Sequence, residues 1–203
     1  MLHGPTPFYH SPSSVPVTSS SPLQPVVSHR PSVSTNPPDY AWVPQRQYAL
    51  TAHHSTPAHP IVFNVNSGEP GIRLSAALNR KFAHLRDRDD LVFESSKSPT
   101  ITMRLEWPGY MSWSRQVRIL DSRSVRQSIS REKLAYEVAK TVSAFAQPQN
   151  RKRSSAEGAL CRDRTWDIGE GGLGLDDLVL VRVENVSKGS WQPQFLMHRQ
   201  HRS

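Results

Sequence analysis

The chain has 203 residues, with 25 Lys and Arg against 17 Asp and Glu, nine His and a single Cys, Cys161. Its net charge of +8 favours anionic partners without choosing among nucleic acid, phospholipid and acidic protein. One Cys excludes an internal disulfide framework and a Cys-based zinc site within the single chain, and no apolar run approaches the ~18 residues of a membrane span.

Residues 1–60 stand apart in composition. They hold 12 of the 17 Pro and only three charged side chains, Arg30, Asp39 and Arg46. A stretch this poor in large apolar residues cannot repay its ordering entropy, so 1–60 is expected to be a disordered Pro/Ser/His-rich tail with local polyproline II character. Its beginning, MLHGPTPFYHSP, lacks both an apolar core and a basic flank, so no signal peptide is expected and the localisation predicted is cytoplasmic or nuclear. His53, His54 and His59 lack carboxylate or Cys partners at ligand spacing and read as compositional bias rather than a metal site. Asp39 to Val43 is the tail's one cluster with aromatic anchors, a candidate docking peptide.

A domain is predicted over 61–197, carrying most of the charge excess. The alternation in Ile61-Val62-Phe63-Asn64-Val65-Asn66 predicts a first strand, ended by the turn-forming Ser67 to Gly71. From 73 to 86 the spacing becomes helical, with Leu74, Ala77, Leu78, Phe82 and Leu85 on one stripe. Leu91 to Glu94 is a short strand candidate. The clearest pattern follows: Ile101, Met103, Leu105 and Trp107 alternate with Thr102, Arg104 and Glu106, and beyond Pro108-Gly109 the series Trp113, Arg115, Val117 and Ile119 repeats that period. Pro followed by Gly suits a tight reversal, so 101–119 is predicted to be a β-hairpin with one core face and one wet face. Trp107 and Trp113 fall on the core face. Arg104, Tyr110 and Arg118, joined by Arg123 and Arg126 in the polar stretch that follows, form the candidate interaction surface.

Ser130 is a good N-cap for a second helix over 131–146, where Leu134, Val138, Thr141, Val142 and Phe145 share a face. Residues 147–164 read as a flexible connector whose Arg151-Lys152-Arg153 is a solvated basic run. Gly169 to Gly174 formally matches the dinucleotide-binding glycine pattern, but a β-rich run follows it instead of a helix. In that run Val179, Val181 and Val183 define an apolar face. Trp191, Pro193 and Phe195 open a partner strand that Pro193 places at a sheet edge, and the basic end, 198–203, is expected to fray.

The segments GIRLSAALNRKF (71–82), RLEWPGYMSWSRQVR (104–118), KLAYEVAKTV (133–142) and LDDLVLVRVENVSKGSWQPQ (175–194) are similar to a group of small basidiomycete fungal proteins with no assigned activity. The resemblance covers most of 61–196. It implies the domain limits given above and brings no activity, cofactor or catalytic residue.

Residues for catalysis are sparse. His84 is the one His inside the predicted domain, Cys161 lies in the connector between basic neighbours, and Asp176-Asp177 sits where capping a turn explains it. No catalytic, metal or cofactor-binding residues are assigned. The expected fold is α+β: a mainly antiparallel sheet of five or six strands with two helices packed on one face, preceded by the disordered tail. The expected function is a non-catalytic intracellular protein-interaction module with a protein partner and no membrane. The alternative is a basic nucleic-acid-binding domain using the hairpin arginines, with Trp and Tyr as stacking platforms.

Overall fold

The 101–119 hairpin forms where its alternation places it. The structure, a computed structural model, describes residues 39–48, 58–120, 127–154 and 164–199. In chain order the elements are β1 (Tyr40–Trp42), β2 (Ile61–Val62), β3 (Ile72–Arg73), α1 (Leu74–Leu78), β4 (Thr100–Leu105), β5 (Trp113–Arg118), α2 (Arg131–Ala146), a short 3-10 turn (Arg164–Trp166), β6 (Leu178–Ser187) and β7 (Ser190–His198). They build an α+β fold around one sheet of seven strands, ordered β2-β6-β7-β4-β5, with β1 added on β7 and β3 on β6. The sheet is mixed, because β4 meets β7 in parallel at Thr102–Ser190 and Met103–Trp191. Both helices pack into the same core.

β4 and β5 pair from Thr100–Arg118 to Leu105–Trp113. Between them Pro108 and Gly109 make a type II reversal: Gly109 has φ +76° and Tyr110 N–H donates to Trp107 O at 3.1 Å. Trp107 is fully buried, its indole N–H donating to Trp166 O at 2.7 Å and its ring lying between Phe145 and Phe195. α2 spans the predicted residues, with Lys133 N–H donating to the Ser130 side chain as the cap requires.

Several expectations are corrected. The helix predicted over 73–86 stops at Leu78, because Lys81 N–H bonds to Ala76 O and Arg80 N–H to Ala77 O while Arg80 takes the left-handed φ of +57°. That is a Schellman ending with Arg where Gly is usual, and Phe82 and Leu85 reach the core from a turn. Leu91 to Phe93 is no strand; it makes one bridge to Ser130, and Phe93 packs edge-on against Trp191. In β6 a bulge between Leu180 and Arg182 breaks the alternation, so Leu180 and Val183 both enter the main core while Val179 faces a second cluster with Tyr40 and Leu196.

The largest correction concerns β7, which is central, with β6 on one side and both β4 and β1 on the other. Pro193 is tolerated there because its side of the strand faces the gap between the two partners, where Ser190–Trp191 leave β4 and Leu196–His198 meet β1. A side chain fills that gap: Gln45 Nε2 donates to Pro193 O at 2.6 Å and Gln45 Oε1 accepts from Glu106 N–H at 3.2 Å. Residues 39–48, assigned by composition to the tail, thus belong to the sheet. At the other terminus His198 closes β7 and Arg199 N–H donates to Asp39 O, so the fraying expected from 198 does not reach these two residues.

Trp107→Ala should cost about 3–5 kcal/mol in denaturant unfolding; a loss below about 1 kcal/mol would mean the indole is not the hinge of the core. Gln45→Ala leaves the Glu106 amide and the Pro193 carbonyl without their partner, so a loss of about 1–3 kcal/mol is expected, and an unchanged midpoint would refute the bridging role.

Candidate interaction surface

The alternation of β4 decides what β5 offers. Thr102 N–H donates to Gly189 O, so the even-numbered backbone groups of β4 face β7 and the odd-numbered ones face β5. In the observed register Leu105, Met103 and Ile101 therefore bond to Trp113, Arg115 and Val117. The backbone groups of Ser114, Gln116 and Arg118 point the other way. Among the described residues β5 pairs with β4 alone, so these three form an unpaired edge. Its ends are closed, because Met111 N–H donates to Lys152 O at 2.8 Å and Ile119 O accepts from Ile129 N–H at 2.9 Å.

Beside this edge, between β5 and the first turns of α2, lies an open groove of about 760 Å³. Val117, Leu120 and Ile129 give it apolar lining, Arg115 and Lys133 give it positive charge, and Arg118 borders it at the strand edge. Its acids are Asp89 and Glu137, and Glu137 is already paired with Lys133 at 3.2 Å and Lys140 at 3.5 Å. Arg115 and Arg118 make no ion pair among the described residues. Arg115 projects from the inner face of β5 and Arg118 from the outer face.

The predicted surface residues do not converge as expected. Arg118 is exposed on the edge strand. Arg104 is half-buried on the outer face, its Nε donating to Ser190 Oγ at 3.2 Å and its guanidinium lying 4.2 Å from the Tyr48 ring centre. Tyr110, expected to be exposed at the turn, is 3% exposed. Residues 151–154, part of the expected connector, pair with the hairpin tip, Ser154 N–H donating to Gly109 O. The Arg153 guanidinium then covers the Tyr110 ring at 4.6 Å while Phe145 packs against it. Glu106, read as part of the wet face, is 4% exposed because Arg46 crosses it, with an ion pair at 3.4 Å. Arg123 and Arg126 lie outside the described residues, as does Cys161.

Arg115 and Lys133 complete the basic groove; Arg115 is one of the hairpin arginines of the nucleic-acid alternative but not of the candidate interaction surface, and Lys133 is in neither. The signal for Arg115 was its place on an otherwise apolar strand face: an inward-pointing charge marks a strand at the margin of a sheet. Lys133 carries no comparable mark, since a Lys in the first turn of a helix is ordinary.

A second polar cluster ties β1 to the sheet. The Tyr40 hydroxyl donates to Glu69, which also accepts from Arg73 at 3.0 Å. Burial and the hydrogen bond to Glu69 push the Tyr40 phenol up to about 12. Burial works to raise the Glu69 carboxyl, but the hydrogen bonds from Tyr40 and Arg73 outweigh it and hold the group below its ordinary value. Elsewhere, Asp177 Oδ2 accepts from Gly174 N–H at 2.8 Å, capping the turn before β6. The glycine-rich loop folds on itself, Gly172 N–H donating to Gly169 O, and leads into β6. Among the described residues no three His, Cys, Asp or Glu gather as metal ligands, and no helix is long and apolar enough to cross a membrane.

Compared with protein-family models, curated proteins and solved structures, the chain matches none.

The Tyr40 phenol is stabilising while protonated, so its contribution is full below about pH 10 and is lost as pH rises through about 12. Glu69 has the opposite sense: its contribution is present above its ordinary value and lost as pH falls through its depressed one. The stability difference between the wild type and Tyr40→Phe should therefore shrink above about pH 10, followed by thermal unfolding; a difference constant through alkaline pH would show that the phenol is not held in this way.

Proposed function

We propose that the chain is a non-catalytic intracellular protein-interaction module, cytoplasmic or nuclear, that accepts an extended segment of a partner protein as an added strand on β5. The observation that carries this reading is the bounded, unpaired edge of Ser114, Gln116 and Arg118 beside an open groove. Strand addition takes its affinity from main-chain hydrogen bonds and its specificity from pockets for alternate side chains, and the edge and groove supply both. The reading assigns strand addition to β5, since β7, which Pro193 suggested as an edge, lies between β6 and β4.

Nucleic acid is disfavoured by the same geometry. Trp107 and Tyr110 are buried and Trp113 is half-buried against Phe145, so the hairpin offers its arginines no fully exposed aromatic platform for bases.

Gln116→Pro tests the strand-addition reading directly. The Gln116 amide points away from β4, so its loss removes an edge donor without breaking the hairpin ladder. Peptides enriched from a random linear library on the wild-type protein should lose binding to folded Gln116→Pro, and should protect the Ser114, Gln116 and Arg118 amides from hydrogen exchange in the wild type. Equal binding to both proteins, or enrichment of nothing, would overturn the reading. So would tight binding of single-stranded DNA or RNA with a steep negative salt slope.

A further inference from the structure

We infer that the segment taken by the β5 edge is acidic, with two carboxylates three residues apart and an apolar residue next to the first of them. This rests on the strand-addition reading above and adds the chemistry of the partner.

Two cations of β5 have no ion-pair partner among the described residues. Arg115 and Arg118 are three positions apart on one strand, so their side chains leave opposite faces of the sheet. Lys133 adds further positive charge on the groove side. Of the two acids that line the groove, Glu137 is divided between Lys133 and Lys140, and Asp89 is paired with Arg88. A strand laid along β5 places one residue opposite each β5 residue, and its side chains follow the same alternation. The partner residue opposite Arg115 therefore enters the groove, and the one opposite Arg118 lies on the outer face.

One acid cannot serve both arginines. Two acids spaced by two residues would share a face and reach only one of them. Acids three apart lie on opposite faces and meet both. The partner residue opposite Val117 also points into the groove, toward the wall formed by Val117, Leu120 and Ile129, and an apolar side chain suits that place. Read along an antiparallel partner, the order is acid opposite Arg118, apolar opposite Val117, any residue opposite Gln116, acid opposite Arg115. The closed ends of the edge, at Met111 and Ile119, limit the recognised core to a segment of this short length.

The test measures fluorescence anisotropy of labelled peptides on the full chain. Three share their flanks: one has acids three apart with the apolar residue in place, the second has the same residues rearranged with acids two apart, and the third is a neutral version of the first with Gln for both acids. The three-apart peptide should bind about tenfold more tightly than the neutral one, and that advantage should shrink with added salt. It should also bind several-fold more tightly than the two-apart peptide. Arg115→Gln and Arg118→Gln should each remove part of the advantage, read as the ratio of the affinities of the three-apart and neutral peptides for the same variant. Equal affinities for the three peptides, with binding still lost in Gln116→Pro, would overturn this inference and leave strand addition standing. An unbroken advantage in both arginine variants would overturn it too. Absence of binding by any peptide, library-derived ones included, would remove the strand-addition reading itself.

Discussion

The sheet depends on how β7 satisfies its backbone on both sides. One side is straightforward, since β6 pairs with it along nearly its whole length. On the other side no single strand suffices: β4 meets only its first residues and β1 only its last. The interval would leave a buried carbonyl at Pro193 and a buried amide at Glu106 without partners, a cost comparable to a lost hydrogen bond for each. The Gln45 amide satisfies both groups as a peptide unit would, one donor and one acceptor in a single planar group. Arg46 continues the seal over Glu106, and Gln192 Nε2 returns a bond to Arg46 O. A ten-residue segment from the proline-rich part of the chain is thus a structural member of the domain.

With β7 at the centre, the consequences run outward through β4 to β5. Trp107 ends β4 in the core, and the packing of Phe145 against Trp107, Tyr110 and Trp113 joins α2 to the hairpin on three sides. The hairpin tip, held also by residues 151–154, is therefore an anchored part of the fold. Among the described residues the far side of β5 has no partner strand, and charged side chains stand on both of its faces, as on edge strands guarded against indiscriminate pairing. In the strand-addition reading proposed above, the same arginines favour an anionic chain.

The hairpin and α2 were legible because their signals are local. Period-two alternation from Ile101 to Ile119, a Pro-Gly reversal, and Ser130 ahead of an apolar stripe each need only a few neighbouring residues to be read. α1 was overextended because nothing in Asn79-Arg80-Lys81 marks a stop: the Schellman turn places Arg80 where Gly would have signalled it. The β6 bulge was hidden for a related reason, since Leu178 to Val183 are apolar at nearly every position and either phase of the alternation fits. Of the candidate surface, Arg118 emerged where the alternation put it, whereas Tyr110 was buried by a distant segment and Arg115 became accessible through the open margin of the sheet.

By itself the sequence determined the α+β class, the hairpin with its two faces and the capped second helix, because side-chain period and capping act within a turn or two of chain. The tertiary structure alone decided that β7 is central, that β4 joins it in parallel, that residues 39–48 enter the sheet and that β5 is left as the edge. Those outcomes turn on which backbone groups find partners far along the chain. The two sides of a strand carry no distinguishing mark in sequence, so Pro193 suggested an edge until Gln45, 148 positions away, was seen to close the gap beside it.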